Sequence, residues 1–156
     1  MKLPDAQKTV ELYTKLRAIN DLCFTGIDNP PVSEFLMRFE KGDVFVKHRS
    51  EIVVREGFQE VLAYAIVNTD GPAAHLWQIA TKPNSRSRGL ATLLIEEIDR
   101  FYKGKKFGIT LQVKVDNVTA QVLYLKNGYK VESVLHDYFG PEQNGLLMRK
   151  ELNGKS

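Results

Sequence analysis

Two hydrophobic periods alternate between residues 76 and 150, and that alternation leaves few architectures open. Leu76 to Thr81 reads as a strand, after which Leu90, Leu94, Ile98 and Phe101 recur at helical spacing as far as Tyr102. Beyond Gly104 the period returns to two. Ile109, Leu111, Val113 and Val115 alternate with Thr110, Gln112, Lys114 and Asp116, which predicts a half-buried strand with its polar residues on one face. Asn117 can cap a further helix, Val118 to Lys126, whose apolar stripe is Val118, Val122 and Leu125; Asn127-Gly128 supplies a left-handed stop. Tyr129 to Asp137 and Leu146 to Lys150 read as strands around the turn Phe139 to Gly145.

Upstream, Leu12, Leu16, Ile19 and Cys23 mark an amphipathic helix from Ala6 to about Phe24, and Ser33 can cap a second one through about Glu40. Val44 to His48, Ile52 to Arg55 and Val61 to Asn68 read as strands. Strands that first meander and then alternate with helices in parallel crossover units define an α/β fold around a mixed sheet. No repeat or linker divides the chain, so one domain over residues 1–156 is expected, long enough to bury its own core.

Several classes drop out. The longest apolar run, Val61 to Val67, has seven residues, against about 20 for a membrane-spanning helix. Met1-Lys2-Leu3-Pro4-Asp5 has no apolar stretch behind it and does not read as a secretory signal. Cys23 is the single cysteine and cannot form an internal disulfide, so a cytoplasmic location is expected. The net charge, 22 − 19 = +3, is too mild for a nucleic-acid partner, although clustered basic residues would suit a small anion. His48, His75 and His136 share no ligand spacing, and no metal site is expected.

Chemistry concentrates between Leu76 and Leu94. A strand runs into a loop of small and basic residues and directly into a helix, whose first N–H groups have no intrahelical acceptor and whose dipole attracts anions. Gly89 and Ala91 let a phosphate approach the backbone, and Arg86 and Arg88 can add charge-assisted hydrogen bonds, with Lys82 nearby. Neither G-x-G-x-x-G nor G-x-x-x-x-G-K-[ST] is present, which argues against the usual dinucleotide and nucleotide-triphosphate cradles.

At these residues the chain resembles the GCN5-related N-acetyltransferase (GNAT) superfamily, whose acyl-CoA signature [QR]-x-x-G-x-[GA] stands here as Arg86-Ser87-Arg88-Gly89-Leu90-Ala91. Ile79-Ala80-Thr81 precedes it, and Asn117, Ala120 and Leu123-Tyr124-Leu125-Lys126-Asn127-Gly128-Tyr129 match the family's N-x-x-A-x-x-L-Y-x-x-x-G-[FY] pattern. Asp137-Tyr138-Phe139 and Leu147-Met148 look most like the ribosomal-protein N-terminal acetyltransferases. The resemblance covers about half of the chain, residues 75 to 150. It implies a mixed, mostly antiparallel sheet flanked by about four helices, usually opened by a strand, for which Lys2 to Lys8 is the available segment.

It also implies acetyl-CoA as cosubstrate and a primary amine, such as a peptide N-terminus, as acceptor. By resemblance, Ile79, Ala80 and Thr81 would meet the pantetheine arm, Ser87 to Thr92 the pyrophosphate, and Asn117 the cofactor from the next helix. Tyr124 would protonate the departing thiolate, with an N–H near Ile79 stabilising the oxyanion. Related enzymes carry a glutamate base where this chain has Gln112 or Gln78, and neither amide accepts a proton. Deprotonation then falls to water, a carbonyl, or a side chain such as His75, His136 or Asp137; alternatively the acceptor is an α-amino group, with a pKa of about 7.7–8.0. Two other readings remain open: acetylation of a small amine such as a polyamine, with Glu132, Asp137 and Glu142 as its partners, and a non-catalytic acyl-CoA-binding module.

Overall fold

The computed structural model describes residues 2–3, 8–48, 60–86 and 89–152. Among these, the chain runs α1 (Val10–Cys23), α2 (Val32–Lys41), β1 (Asp43–His48), β2 (Val61–Asn68), β3 (Ala74–Thr81), α3 (Leu90–Tyr102), β4 (Gly108–Lys114), α4 (Val118–Lys126), β5 (Lys130–Leu135) and β6 (Gly145–Glu151). The strands form one sheet in the order β1-β2-β3-β4-β6-β5. Only β3 and β4 run parallel; the other neighbours are antiparallel. The expected strand Ile52 to Arg55 lies outside the described residues.

Caps explain where the helices begin. Thr9 accepts from the Leu12 N–H at 3.1 Å, so α1 starts at Val10, later than the Ala6 anticipated from periodicity. Asn117 caps α4 through its bond from the Ala120 N–H, also 3.1 Å. Ser33 does not cap α2. Pro31 occupies that position, with φ fixed at −55° and its carbonyl accepting from the Phe35 N–H at 3.0 Å, which leaves Ser33 inside the first turn. Of the expected first strand, the described residues show the antiparallel bridge of Lys2 with Phe45 and the bond from the Leu3 N–H to the Val44 carbonyl, 2.8 Å; residues 4–7 lie outside the described residues.

Both faces of the sheet are covered. Leu12, Leu16, Ile19, Phe35 and Phe39 of α1 and α2 pack on Val44, Val46, Tyr64 and Ile66, while Leu94, Ile95, Ile98, Tyr102 and Tyr124 of α3 and α4 pack on Phe45, Ala63, Ala65 and Leu111. This two-sided cover is why Val61 to Val67 can be apolar at every position: all seven residues are buried. The stripe expected on α4 is not its buried side. Val118, Val122 and Leu125 are exposed, whereas Tyr124 is buried and Ala120 and Leu123 pack beside it. A helix apolar all round gives no periodic signal of which side meets the sheet.

One irregularity in β3 matters for the site. Ile66 pairs with Gln78 but Val67 pairs with Leu76, so Trp77 is an extra residue bulged out of the ladder. The bulge inverts the alternation of faces. Ala74 and Leu76 join the α3 and α4 core, whereas Ala80 joins the α1 and α2 core, and Ile79 turns to the α3 side.

Candidate functional site

The parallel ladder between β3 and β4 ends almost as soon as it starts. Ala74 pairs with Ile109, His75 with Thr110 and Leu76 with Leu111. Beyond them β3 continues to Thr81 on β2 and β4 continues to Lys114 on β6, with no further pairing between the two among the described residues. The Lys82 N–H donates to the Leu62 carbonyl on β2 at 2.8 Å. Backbone direction alternates along a strand, so Ala80 also faces β2, and Ile79 and Thr81 aim their N–H and C=O groups into the opening between β3 and β4. The strands thus form a wedge lined by backbone hydrogen-bonding groups.

The loop and helix after β3 bound the wide end of this wedge. Gly89 sits at the N-cap of α3 with φ 71°, a left-handed conformation that favours glycine. A Cβ there would have no atom within 4 Å, so the space over the helix start is open. Leu90, Ala91 and Thr92 are the first residues of α3 and carry its unpaired N–H groups. Ser87 and Arg88 lie outside the described residues. Arg86 points to α1, where its Nη2 donates to Cys23 Sγ at 3.3 Å, and Lys82 is paired with Glu60 at 2.9 Å. Cys23 in turn donates to the Thr81 carbonyl at 3.3 Å, which ties the end of α1 to the end of β3.

The α4 helix supplies the opposite wall. Asn117 spends its oxygen on the cap and keeps its amide nitrogen as a donor. Tyr124 belongs to the same cluster as Ile79, Leu90 and Val113 and meets the Tyr129 ring edge-on at 5.7 Å. Burial pushes its phenol up to about 12, so the hydroxyl remains a proton donor throughout the neutral range.

The other face of the wedge, under α1 and α2, carries polar side chains that no local pattern brings together. His75 Nδ1 lies 2.7 Å from Thr110 Oγ1, and the exposed Tyr138 donates to Gln112 Oε1 at 2.8 Å. Arg38 lies over the Trp77 ring at 5.9 Å. Gln78 donates to Asn20 Oδ1 at 2.9 Å, while Asn20 donates to Asn29 at 2.8 Å and to Asp21 at 3.1 Å. Those bonds orient both amides and leave the buried Gln78 Oε1 without a donor among the described residues. Lys114 pairs with Asp28 and donates to Gln143 Oε1 at 3.1 Å, joining the α1–α2 connection to the β5–β6 turn.

The three-pair parallel ladder thus opens into a wedge and is followed by a glycine-capped helix. Residues 13–129 match the model of the acetyltransferase (GNAT) family. The chain belongs to this GNAT family. An uncharacterized N-acetyltransferase of Methanocaldococcus jannaschii, MJ1530, is 29% identical over 98 residues, 61% of this chain and 63% of that protein. The chain therefore spans less than two thirds of the length of the curated relative it matches. In solved structures the same GNAT fold recurs in the ribosomal-protein-S18-alanine N-acetyltransferase of Escherichia coli, with TM-score 0.76, 18% identity and coverage of 95% and 92% of the two chains. A GNAT acetyltransferase of Elizabethkingia anophelis, solved with acetyl-CoA bound, superposes with TM-score 0.66 at 14% identity over 80% and 85%. At such identities the likeness is one of fold. No helix among the described residues is long and apolar enough to cross a membrane.

Asn20, Arg38, Asp28 and Gln143, on the face under α1 and α2, carry no motif, and each is brought in from a distant part of the chain. The one available signal was the run of polar residues at alternate positions of β4.

Proposed function

We propose that this chain is an acetyl-CoA-dependent N-acetyltransferase whose acceptor is a primary amine, in particular a peptide N-terminus. The observation that carries the reading is the wedge: Ile79 and Thr81 direct backbone groups into it, and Gly89 and Tyr124 bound it. Ile79 and Thr81 would hold the pantetheine arm, Ala80 being turned to β2 between them, the start of α3 from Gly89 to Thr92 the pyrophosphate with Ser87, Arg86 and Arg88, and Asn117 the far side of the cofactor. The cosubstrate supplies an activated acetyl thioester. An N–H near Ile79 would stabilise charge on the carbonyl oxygen, and Tyr124 would give its hydroxyl proton to the departing sulfur.

The face under α1 and α2, read as the acceptor side, favours a peptide over a polyamine. Of the acids that could receive a polycation, Glu132 pairs with Arg149 at 3.3 Å and Asp137 accepts from the Glu142 N–H at 2.9 Å, and the cations Arg38 and Lys114 stand on the same face, paired with Glu34 and Asp28. Trp77, Gln112 and Tyr138 provide a flat, uncharged wall suited to an extended backbone. The compartment implied is a reducing cytoplasm, where Cys23 stays a thiol. Calorimetry with acetyl-CoA followed by thiol release over a panel of peptides, amino acids and polyamines tests the reading. Turnover of peptides ahead of polyamines is expected; binding without turnover of any amine would make the chain an acyl-CoA-binding module.

A further inference from the structure

With Gln112 and Gln78 unable to take a proton, the acceptor ammonium needs another base, and three side chains are within reach of the acceptor-side face by sequence. Asp137 is committed to capping the β5–β6 turn, where its Oδ1 accepts from the Glu142 N–H at 2.9 Å. His136 is exposed beyond the end of β5. His75 differs from both. It lies half-buried on β3 at the middle pair of the three-pair parallel ladder, opposite Thr110, on the face that also carries Gln112, Trp77 and Tyr138.

We propose that His75 is the general base for the acceptor amine, held by Thr110. This rests on the acetyltransferase reading above. In this assignment Nδ1 carries the hydrogen and donates to Thr110 Oγ1, 2.7 Å away, which leaves the Nε2 lone pair as the proton acceptor. Beside the ring, Tyr138 donates to Gln112 Oε1 at 2.8 Å.

The proton accounting closes. One ammonium N–H bond breaks, its proton goes to Nε2, and the electron pair left on nitrogen forms the C–N bond. The C–S bond breaks with its pair on sulfur, which takes the Tyr124 proton. The second amine proton leaves to solvent, His75 discharges to solvent, and Tyr124 is reprotonated from it, so one proton is released per acetyl group.

Burial holds the imidazole below its ordinary value, Gln112 opposes that shift, and the Arg38 charge adds to it, so the ring is neutral and ready to accept at pH 7. Arg38 is itself paired with Glu34 at 2.7 Å, the other charges on this face are compensated pairs, Lys114 with Asp28 and Arg149 with Glu132, and Tyr138 is neutral. Activity requires the neutral ring, so it falls as pH drops through the His75 pKa. The acid limb of kcat/KM therefore lies below the pH at which an ordinary imidazole titrates.

The experiment compares the full chain with H75Q on the best acceptor of the amine panel. The expected loss in kcat/KM at pH 7 is about 10²–10⁴-fold, with the acid limb abolished and acetyl-CoA affinity by calorimetry unchanged. A limb that survives in H75Q overturns the assignment. A second measurement needs no variant at this position: NMR titration of the His75 ring in the wild type must give the pKa of the acid limb, and disagreement overturns the assignment even if H75Q fails to fold. A wild type that acetylates no amine defeats the underlying reading, a different outcome from an active wild type indifferent to His75.

Discussion

Replacing Tyr124 by phenylalanine separates chemistry from packing, because the structure divides the two between ring and hydroxyl. The ring is buried against Tyr129 at 5.7 Å and within the α3–α4 core, and phenylalanine keeps it. The hydroxyl makes no side-chain hydrogen bond among the described residues, so its removal strands no partner and stability should stay within about 0.5 kcal/mol. In a chain of this size about 1 kcal/mol moves Tm by about 2–4 °C, so the melting curve should shift by no more than about 2 °C. A positioned general acid contributes about 10²–10⁴ in rate, which is about 2.7–5.4 kcal/mol of barrier. Steady-state thiol release should then show kcat reduced by that factor, with acetyl-CoA affinity preserved in calorimetry. The pKa of about 12 adds a condition on pH: loss of the acid as pH rises through that value cannot explain any basic limb near neutrality. An unchanged kcat, or kcat and Tm falling together, would refute the assignment.

Gly89→Ala forces a side chain into a left-handed conformation at φ 71°, at a cost of about 1–2 kcal/mol, so Tm should drop by about 2–8 °C. Its Cβ meets open space in the folded chain, so acetyl-CoA affinity measured below the transition should weaken separately, by roughly tenfold or about 1.4 kcal/mol; an unaltered Kd removes Gly89 from the cofactor site. Gln112→Glu places a carboxylate against His75 and stabilises its imidazolium, so the acid limb of kcat/KM should move to higher pH. A profile that does not move takes position 112 out of the mechanism, and one that moves down makes the new carboxylate the base. Asn20→Leu removes a fully buried amide and strands the Gln78 Nε2 donor that it accepts from, at about 1–3 kcal/mol, and an unchanged Tm would show that this network does not hold α1 to the sheet.

What was legible in the sequence was local. The limits of α3 and α4, the polar face of β4, the cap at Asn117 and the small-and-basic loop from Arg86 to Ala91 follow from periods and caps that act within one or two turns. Ser33 was misread as a cap because two adjacent residues can both open a helix, and Pro31 does so through its carbonyl. The α4 stripe was misassigned because Val118, Val122 and Leu125 are as apolar as the residues that face the core.

Taken alone, then, the sequence determined the order of elements, the α/β class with a mixed sheet, and the acyl-CoA signature. Only the tertiary structure decided that Trp77 bulges and turns Ile79 and Ala80 to opposite cores, that Tyr124 is the buried side of α4, and that Arg86 reaches back to Cys23. It also decided that His75, Thr110, Gln112 and Tyr138 share one face beside an amide network anchored on Asn20. The physical reason is the separation of these contacts along the chain. Periodicity and capping are written within a few residues, whereas His75 with Thr110 spans 35 positions and Asn20 with Gln78 spans 58, distances closed only by the strand pairing that brings β3 beside β4 and seats α1 on the sheet.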